Sequence, residues 1–391
     1  MLALKLAFRN IINAGLRTWL NVFVLSFAFV LIVWTQGLND GMFSQIIDSK
    51  QDTEIGSGQI WHKDYDPYDP FTIEDAHAEI PDKISLLIKN NLATPMLLSP
   101  GAVFPNGRMF SALIKGIDPE QKILNFPSQV LKIKENDFIP ALIGKRMSEA
   151  TGLKKDDYVT IRWRDINGTF DAADVKIVDV FSTSVPTVDA GQIWLPLQKF
   201  QEMMEAENQA TLFTLSKEIK SPLPVSDNWV LRDFDFLMKD LMAAKDQKIV
   251  STYLLFAVLL GMALIAIFDT QVLAIFRRRK EMGTMIALGM TRTDVIKLFT
   301  IEGSLHGILA LLAGAVYGIP LLAFTAANGI SLPEMSQNIG LAIGAKIYPA
   351  YGLPLLASTS FILFITVVIV SFLPTRKIAH LKPTDAIRGK M

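Results

Sequence analysis

Arg277-Arg278-Arg279-Lys280-Glu281-Met282-Gly283-Thr284-Met285-Ile286-Ala287-Leu288-Gly289-Met290-Thr291 lies between two long apolar stretches. Met282, Met285 and Ile286 recur at helical spacing and share one face. Gly289 stops the helix, because glycine accepts the left-handed conformation found at helix C-termini. Thr291, with Asp294 three residues on, forms a capping box that opens the next helix. The stretch therefore predicts a short surface helix held between two membrane spans, its apolar face without a membrane-length partner in this chain.

Working outward, the apolar stretches 19–38, 253–276, 299–324 and 355–373 approach or exceed the ~20 residues that a helix needs to cross ~30 Å of hydrocarbon. They predict spans at 19–38, 250–276, 298–326 and 354–374. The first follows Lys5, Arg9 and Arg17 with no acid, as in a signal peptide, but its apolar run continues past the small-residue site at Ser26-Phe27-Ala28. It reads as an uncleaved anchor.

The chain has 391 residues, 50% of them hydrophobic, with 38 basic and 38 acidic side chains and no cysteine. The absence of cysteine excludes disulfides, thiolate metal sites and cysteine nucleophiles. Zero net charge disfavours a nucleic-acid binder. The charges are segregated: residues 39–249 carry 32 acidic and 23 basic side chains, whereas the loop 277–297 holds six basic against two acidic. By the positive-inside rule the segments 1–18, 277–297 and 375–391 face the cytoplasm, with 39–249 and a short loop at 327–353 outside.

Residues 39–249 mix the two periods and predict an α+β domain. Strand signals at 95–103 and 109–117 flank Asn106-Gly107, and those at 158–163 and 175–180 flank Asn167-Gly168, both hairpin turns. Further strands are expected at 60–62, 141–143 and 193–195, with helices at 145–150 and 197–205. From 229 the spacing changes. Phe234, Leu237, Met238, Leu241 and Met242 make an amphipathic stripe leading into span two, and Met42 and Ile46 extend span one in the same way. The segments 229–249 and 39–48 could pair as a stalk, or each stripe could pack on its own domain.

The loop resembles that of the FtsX-like permease family of ABC transporters, of the macrolide-exporter and lipoprotein-releasing types. The matching residues are the basic run followed by Glu281, Gly283 and Ala287-Leu288-Gly289, then Glu302-Gly303. Ala7-Phe8-Arg9-Asn10 and Arg17-Thr18 resemble the family's N-terminal motif. Pro374, Arg376, Ala379, Pro383, Asp385, Ala386 and Arg388 resemble its C-terminal signature, with Ile387 in place of a leucine.

What the resemblance implies is a multi-pass permease of the bacterial inner membrane with a large MacB-like periplasmic domain. Its loop would hold a coupling helix, Glu281, Met282, Gly283, Thr284, Met285, Leu288 and Gly289, docked on a separate ABC ATPase. No phosphate-binding loop of the Walker type occurs in the chain, so this chain is expected to be no enzyme and to hold no cofactor. ATP and Mg would sit on the partner. A second permease subunit would complete the complex, which would use ATP-driven stalk motion, or mechanotransmission, to release lipoproteins or another amphiphilic cargo from the lipid bilayer. The alternatives are tripartite efflux of peptides or small hydrophobic compounds, and a signalling scaffold that activates a cell-wall hydrolase.

Ionisable groups at membrane depth are costly and need a reason. Asp269 lies eight residues before Arg277, and Glu302 and His306 stand at i and i+4 on span three. Structural pairing between helices is the main expectation for them, with a proton relay as the sharper alternative. Outside, His62, Asp64, Asp66 and Asp69 crowd into residues 61–70 without calcium or zinc spacing, and read as a turn-rich surface loop with exposed aromatics.

Overall fold

The computed structural model describes residues 16–132, 138–183, 185–219, 228–331 and 346–379. The motif at Ala7-Phe8-Arg9-Asn10 and the signature residues Pro383, Asp385, Ala386 and Arg388 lie outside them. The helices are α1 (Leu16–Lys50), α2 (Pro70–Asp75), α3 (Asp82–Lys89), α4 (Lys145–Thr151), α5 (Leu197–Met203), α6 (Phe234–Leu237), α7 (Lys239–Arg277), α8 (Arg279–Ala287), α9 (Arg292–Asn328) and α10 (Leu353–Ala379). The main sheet is built from β1 (Gly58–His62), β3 (Ala93–Val103), β4 (Phe110–Ile117), β5 (Ile139–Gly144), β6 (Tyr158–Arg164), β7 (Phe170–Phe181), β8 (Gln192–Pro196), β10 (Leu212–Leu215) and β11 (Trp229–Asp233). β2 (Ala78–Glu79) and β9 (Gln209–Ala210) pair separately. The chain divides into two compact units, Met1–Met42 with Lys245–Ile330 and Ile347–Met391, and Phe43–Ala244 with Ser331–Lys346.

In the first unit, four helices are long and apolar enough to cross a membrane: Trp19–Ile55, Lys239–Arg277, Arg292–Asn328 and Leu353–Arg376. Lipid offers no partners to backbone groups, so an apolar run of this length closes its hydrogen bonds within itself as a helix. At 1.5 Å per residue, the 35 residues of α1 and the 39 of α7 run roughly 52 and 58 Å, well beyond a hydrocarbon layer of ~30 Å. Val22, Leu25, Phe29 and Val33 of α1 pack with Ala263, Ile267, Ala310, Leu363 and Val367 from the other three.

Two hydrogen bonds tie α1 to α7. The amide of Asn21 donates to Thr270 Oγ1 at 2.6 Å, and that of Asn39 to Thr252 Oγ1 at 3.2 Å. The step between the two bonds is eighteen residues on both helices and runs in opposite directions, so the pair is antiparallel and in register. Tyr317 of α9 adds a hydroxyl contact to Ser26 at 3.2 Å.

The second unit is more sheet-rich than the expected α+β domain. Six strands in the order β3-β4-β8-β5-β7-β6 close on themselves, because β6 pairs back with β3 through Gly101↔Trp163 and Val103↔Ile161. β3 is long enough to serve two neighbours on one edge. Its start pairs with β10 (Leu212↔Met96) and its end with β6, while β4 runs along the other edge. From β10 the sheet continues outward through β1 to β11. Alternation places Leu97, Ile114, Ile143, Ile161, Ile177 and Ile193 in the barrel interior, all fully buried. The next residues along, among them Leu98, Lys115 and Trp194, face the other way.

The two expected hairpins are present, β3–β4 turning at Asn106 and Gly107 (φ 50° and 76°) and β6–β7 at Gly168. The helix expected at 229–249 is not continuous. Residues 229–233 form β11, paired with β1 over five residues, and Trp229 packs on Phe213 at 4.7 Å between ring centroids. Asp233 then caps α6, accepting from Phe236 N at 2.9 Å, and Met238 (φ −98°, ψ 0°) separates α6 from α7. Sheet pairing outweighs the local period here. β10 carries no signal of its own in the sequence, because a fully buried strand does not alternate.

Candidate functional site

α7 ends at Arg277, and α8 begins two residues later. Arg278 at the junction (φ −95°, ψ 13°) breaks the helix and turns the chain. Its guanidinium explains the turn. One nitrogen donates to both carboxylate oxygens of Glu302, at 2.8 and 2.9 Å, and Nε donates to Glu281 at 2.7 Å. The same group lies over the Phe299 ring, 4.9 Å from its centroid. One arginine thus fastens the first turn of α8 to the body of α9. The planar fork is what allows it to meet two carboxylates at once, which a lysine ammonium matches poorly.

The glycine after Glu302 completes the joint. A Cβ built on Gly303 would stand 2.5 Å from Ser371 Cβ of α10 and 2.9 Å from Gln271 Nε2 of α7. Only glycine lets three helices approach so closely at the level where the clamp is set. At the far end, Gly289 takes a left-handed φ of 100°, and Thr291 opens α9 by accepting from Asp294 N at 3.2 Å. The expected stop is realised, and Thr291 caps α9 through its side chain, whose hydroxyl bonds to the Asp294 carboxylate in place of the reciprocal backbone bond of a capping box.

The apolar face of α8 is not unpartnered, as the sequence led us to expect. Met282 is buried, and with Met285 and Ile286 it packs on Ile275, Val295 and Phe299 at the ends of α7 and α9. Nothing in linear order signals this, because the partners belong to the helices that bracket the loop. Of the residues expected to meet a partner protein, Met282 and Gly283 are buried and Met285 is half-buried. Glu281, Thr284, Leu288 and Gly289 are exposed. Leu288 is 82% exposed, a large apolar side chain one turn on from Thr284 on the outward face.

The polar residues expected at membrane depth separate. Glu302 serves the clamp, in line with structural pairing. His306 is buried, its Nδ1 3.2 Å from the Gly303 carbonyl. Asp269 is exposed on α7 and makes no hydrogen bond or ion pair among the described residues. Of the stalk residues, Ile46 and Met238 are buried, and Met42, Phe234, Leu237, Leu241 and Met242 are half-buried.

Residues 253–383, which include the clamp and α8, match the family described as FtsX-like permease C-terminal. The C-terminal third thus carries an FtsX-like permease domain, and most of the chain is similar to ABC transporter permeases of the lipoprotein-releasing type. Over 329 residues it is 21% identical to the lipoprotein-releasing system transmembrane protein LolC of Neisseria meningitidis serogroup B, covering 77% of this chain and 79% of that one. It is likewise 21% identical to LolC of Xylella fastidiosa over 73% of this chain and 75% of the relative. An uncharacterized ABC transporter permease of Methanocaldococcus jannaschii, MJ1507, is 26% identical over 182 residues, 45% of this chain and less than half, 42%, of the archaeal protein.

Proposed function

We propose that this chain is the permease subunit of a lipoprotein-releasing type of transporter, in which α8 receives the motion of a separate ATPase subunit. The observation that carries the reading is the clamp. α8 is fixed at one end by Arg278 to Glu281 and Glu302, seated on Ile275, Val295 and Phe299, and left with Glu281, Thr284 and Leu288 facing outward. A helix held this firmly passes displacement to α7 and α9 instead of absorbing it. It acts as a coupler provided that its contacts differ between the two states of the ATPase.

α1 and α7, tied in register by two asparagine–threonine bonds, are the elements through which such motion would travel as a stalk. The complex would contain two permease subunits in a bacterial inner membrane, with both termini and α8 in the cytoplasm and the sheet domain in the periplasm. ATP and Mg would be held by the partner. The cargo would be an acylated lipoprotein, by likeness to the LolC proteins.

Co-purification of the complex in mild detergent with its ATPase, followed by mass spectrometry, tests the reading. An acylated protein in the complex is the expected result. A cell-wall hydrolase with no acylated cargo would replace it with the scaffold reading. Leu288→Asp should abolish recovery of the ATPase, and undiminished recovery would remove α8 from the interface.

A further inference from the structure

The sheet face turned away from the barrel interior holds a feature that the permease reading does not use. Cross-strand pairing puts Lys115 beside Trp194, and Leu113 beside Gln192, while Met96, Leu212 and Trp61 continue the same face onto β3, β10 and β1. Over this floor lies a cavity of about 800 Å³. Tyr65, Phe236 and Arg232 of β11 line it as well. The aspartate-rich loop at 61–70 forms its rim. Asp69 there caps α2, accepting from Phe71 N at 3.0 Å, and Tyr68 bonds to Asp240.

Lys115 is only 7% exposed, and among the described residues it makes no ion pair and no hydrogen bond; its ammonium lies 4.9 Å from the centroid of the Trp194 ring. Of the acids lining this space, Glu54 is engaged with Lys50 at 3.8 Å and the Thr187 hydroxyl at 3.1 Å, Asp240 accepts from the Tyr68 hydroxyl, and Asp64 and Asp66 stand in the loop at 61–70. Burial pulls the Lys115 pKa below that of an ordinary lysine, with Glu54 opposing from a distance. Two further donors, on residues that line this space, are buried without a partner among the described residues, Trp194 Nε1 and Arg232 Nε, the latter guanidinium lying over the Phe236 ring at 4.4 Å. A buried charge without a counter-charge is among the costliest arrangements in a protein interior. Buried donors are otherwise almost always satisfied.

We infer that this cavity binds a small organic anion, a single carboxylate or phosphate ester on an aromatic body, with Lys115 neutralising the charge, Trp194 donating to it and the rings of Trp61, Tyr65 and Phe236 enclosing the apolar part. The size fits, since sites for drug-sized ligands span ~300–1,000 Å³ and are mostly apolar with a few convergent polar groups. The inference stands apart from the identity of the transporter's cargo and its coupling to ATP.

The test is calorimetric titration of the full chain in lipid nanodiscs with 2-naphthoate and 2-naphthyl phosphate, against the uncharged 2-naphthamide and empty nanodiscs. At least one anion should bind with one-to-one stoichiometry and at least tenfold more tightly than the amide, and the better of the two tells carboxylate from phosphate. Lys115→Met should lose that preference, and Trp194→Phe, which keeps the ring and removes the donor, should weaken the anion severalfold. Anion and amide binding alike, or no binding of either anion to the unaltered protein, would overturn the inference whether or not the variants fold. A folded Lys115→Met protein that keeps the tenfold preference would also overturn it.

Discussion

Two cations in this molecule, Arg278 half-buried and Lys115 buried, are treated in opposite ways. Arg278 has two carboxylates within 2.9 Å and a phenyl ring beneath it, with Nε and one terminal nitrogen both engaged. Lys115 has an indole face and, among the described residues, no carboxylate within ion-pair distance. The first is a finished joint, which explains a short helix held rigidly at a junction. The second is a charge that the fold carries at a cost, and such a cost points to binding. The contrast teaches that charge alone does not mark a functional residue; how completely the surroundings answer it does.

Breaking the joint should have the largest effect. Glu302→Ala leaves Arg278 half-buried with only Glu281, and removing one partner of a buried pair costs on the order of 3 kcal/mol, somewhat less here because both groups keep some exposure. Thermal melting should register it, and stimulation of the partner ATPase should fall at least tenfold; a variant with unaltered coupling would reduce the clamp to a stability device. Gly303→Leu follows, at about 2 kcal/mol, because the added side chain enters space held by Ser371 and Gln271. If it melts like the parent, the three helices are less tightly joined than their geometry indicates.

Lys115→Met sharpens the contrast by acting with the opposite sign. Replacing an uncompensated buried charge by an apolar side chain should stabilise the sheet domain by about 1 kcal/mol at neutral pH. The pH dependence follows. The folded pKa lies below the ordinary value of 10.5, so the unfolded chain binds more protons between the two values. Stability from this group therefore rises with pH through that window, and the slope should vanish in Lys115→Met when denaturant midpoints are compared across alkaline pH. A destabilised variant with the slope intact would mean that Lys115 is satisfied after all. The smallest effect on folding belongs to Leu288→Asp, within about 0.5 kcal/mol for so exposed a side chain. It should nevertheless release the ATPase, separating a docking role from a structural one.

Much of the membrane part was legible in the sequence. Apolar length gives the four spans because a lipid-facing backbone has no option but the helix. The stop at Gly289 and the cap at Thr291 were legible because they depend on neighbours within four residues. The Arg–Glu clamp was only half legible. Arg278 and Glu302 stand out as charged residues near span ends, but their pairing spans 24 positions and needs α8 to fold back.

In the sheet domain the sequence determined the local hairpins and the alternation of their strands, which follow from turn chemistry and a two-residue period. Only the tertiary structure decided that β3 serves both β10 and β6, that residues 229–233 join the sheet as a strand, and that Lys115 and Trp194 share a cavity floor. Those outcomes depend on which distant strands meet. Hydrogen bonding between strands is blind to sequence separation, so no local pattern can encode it.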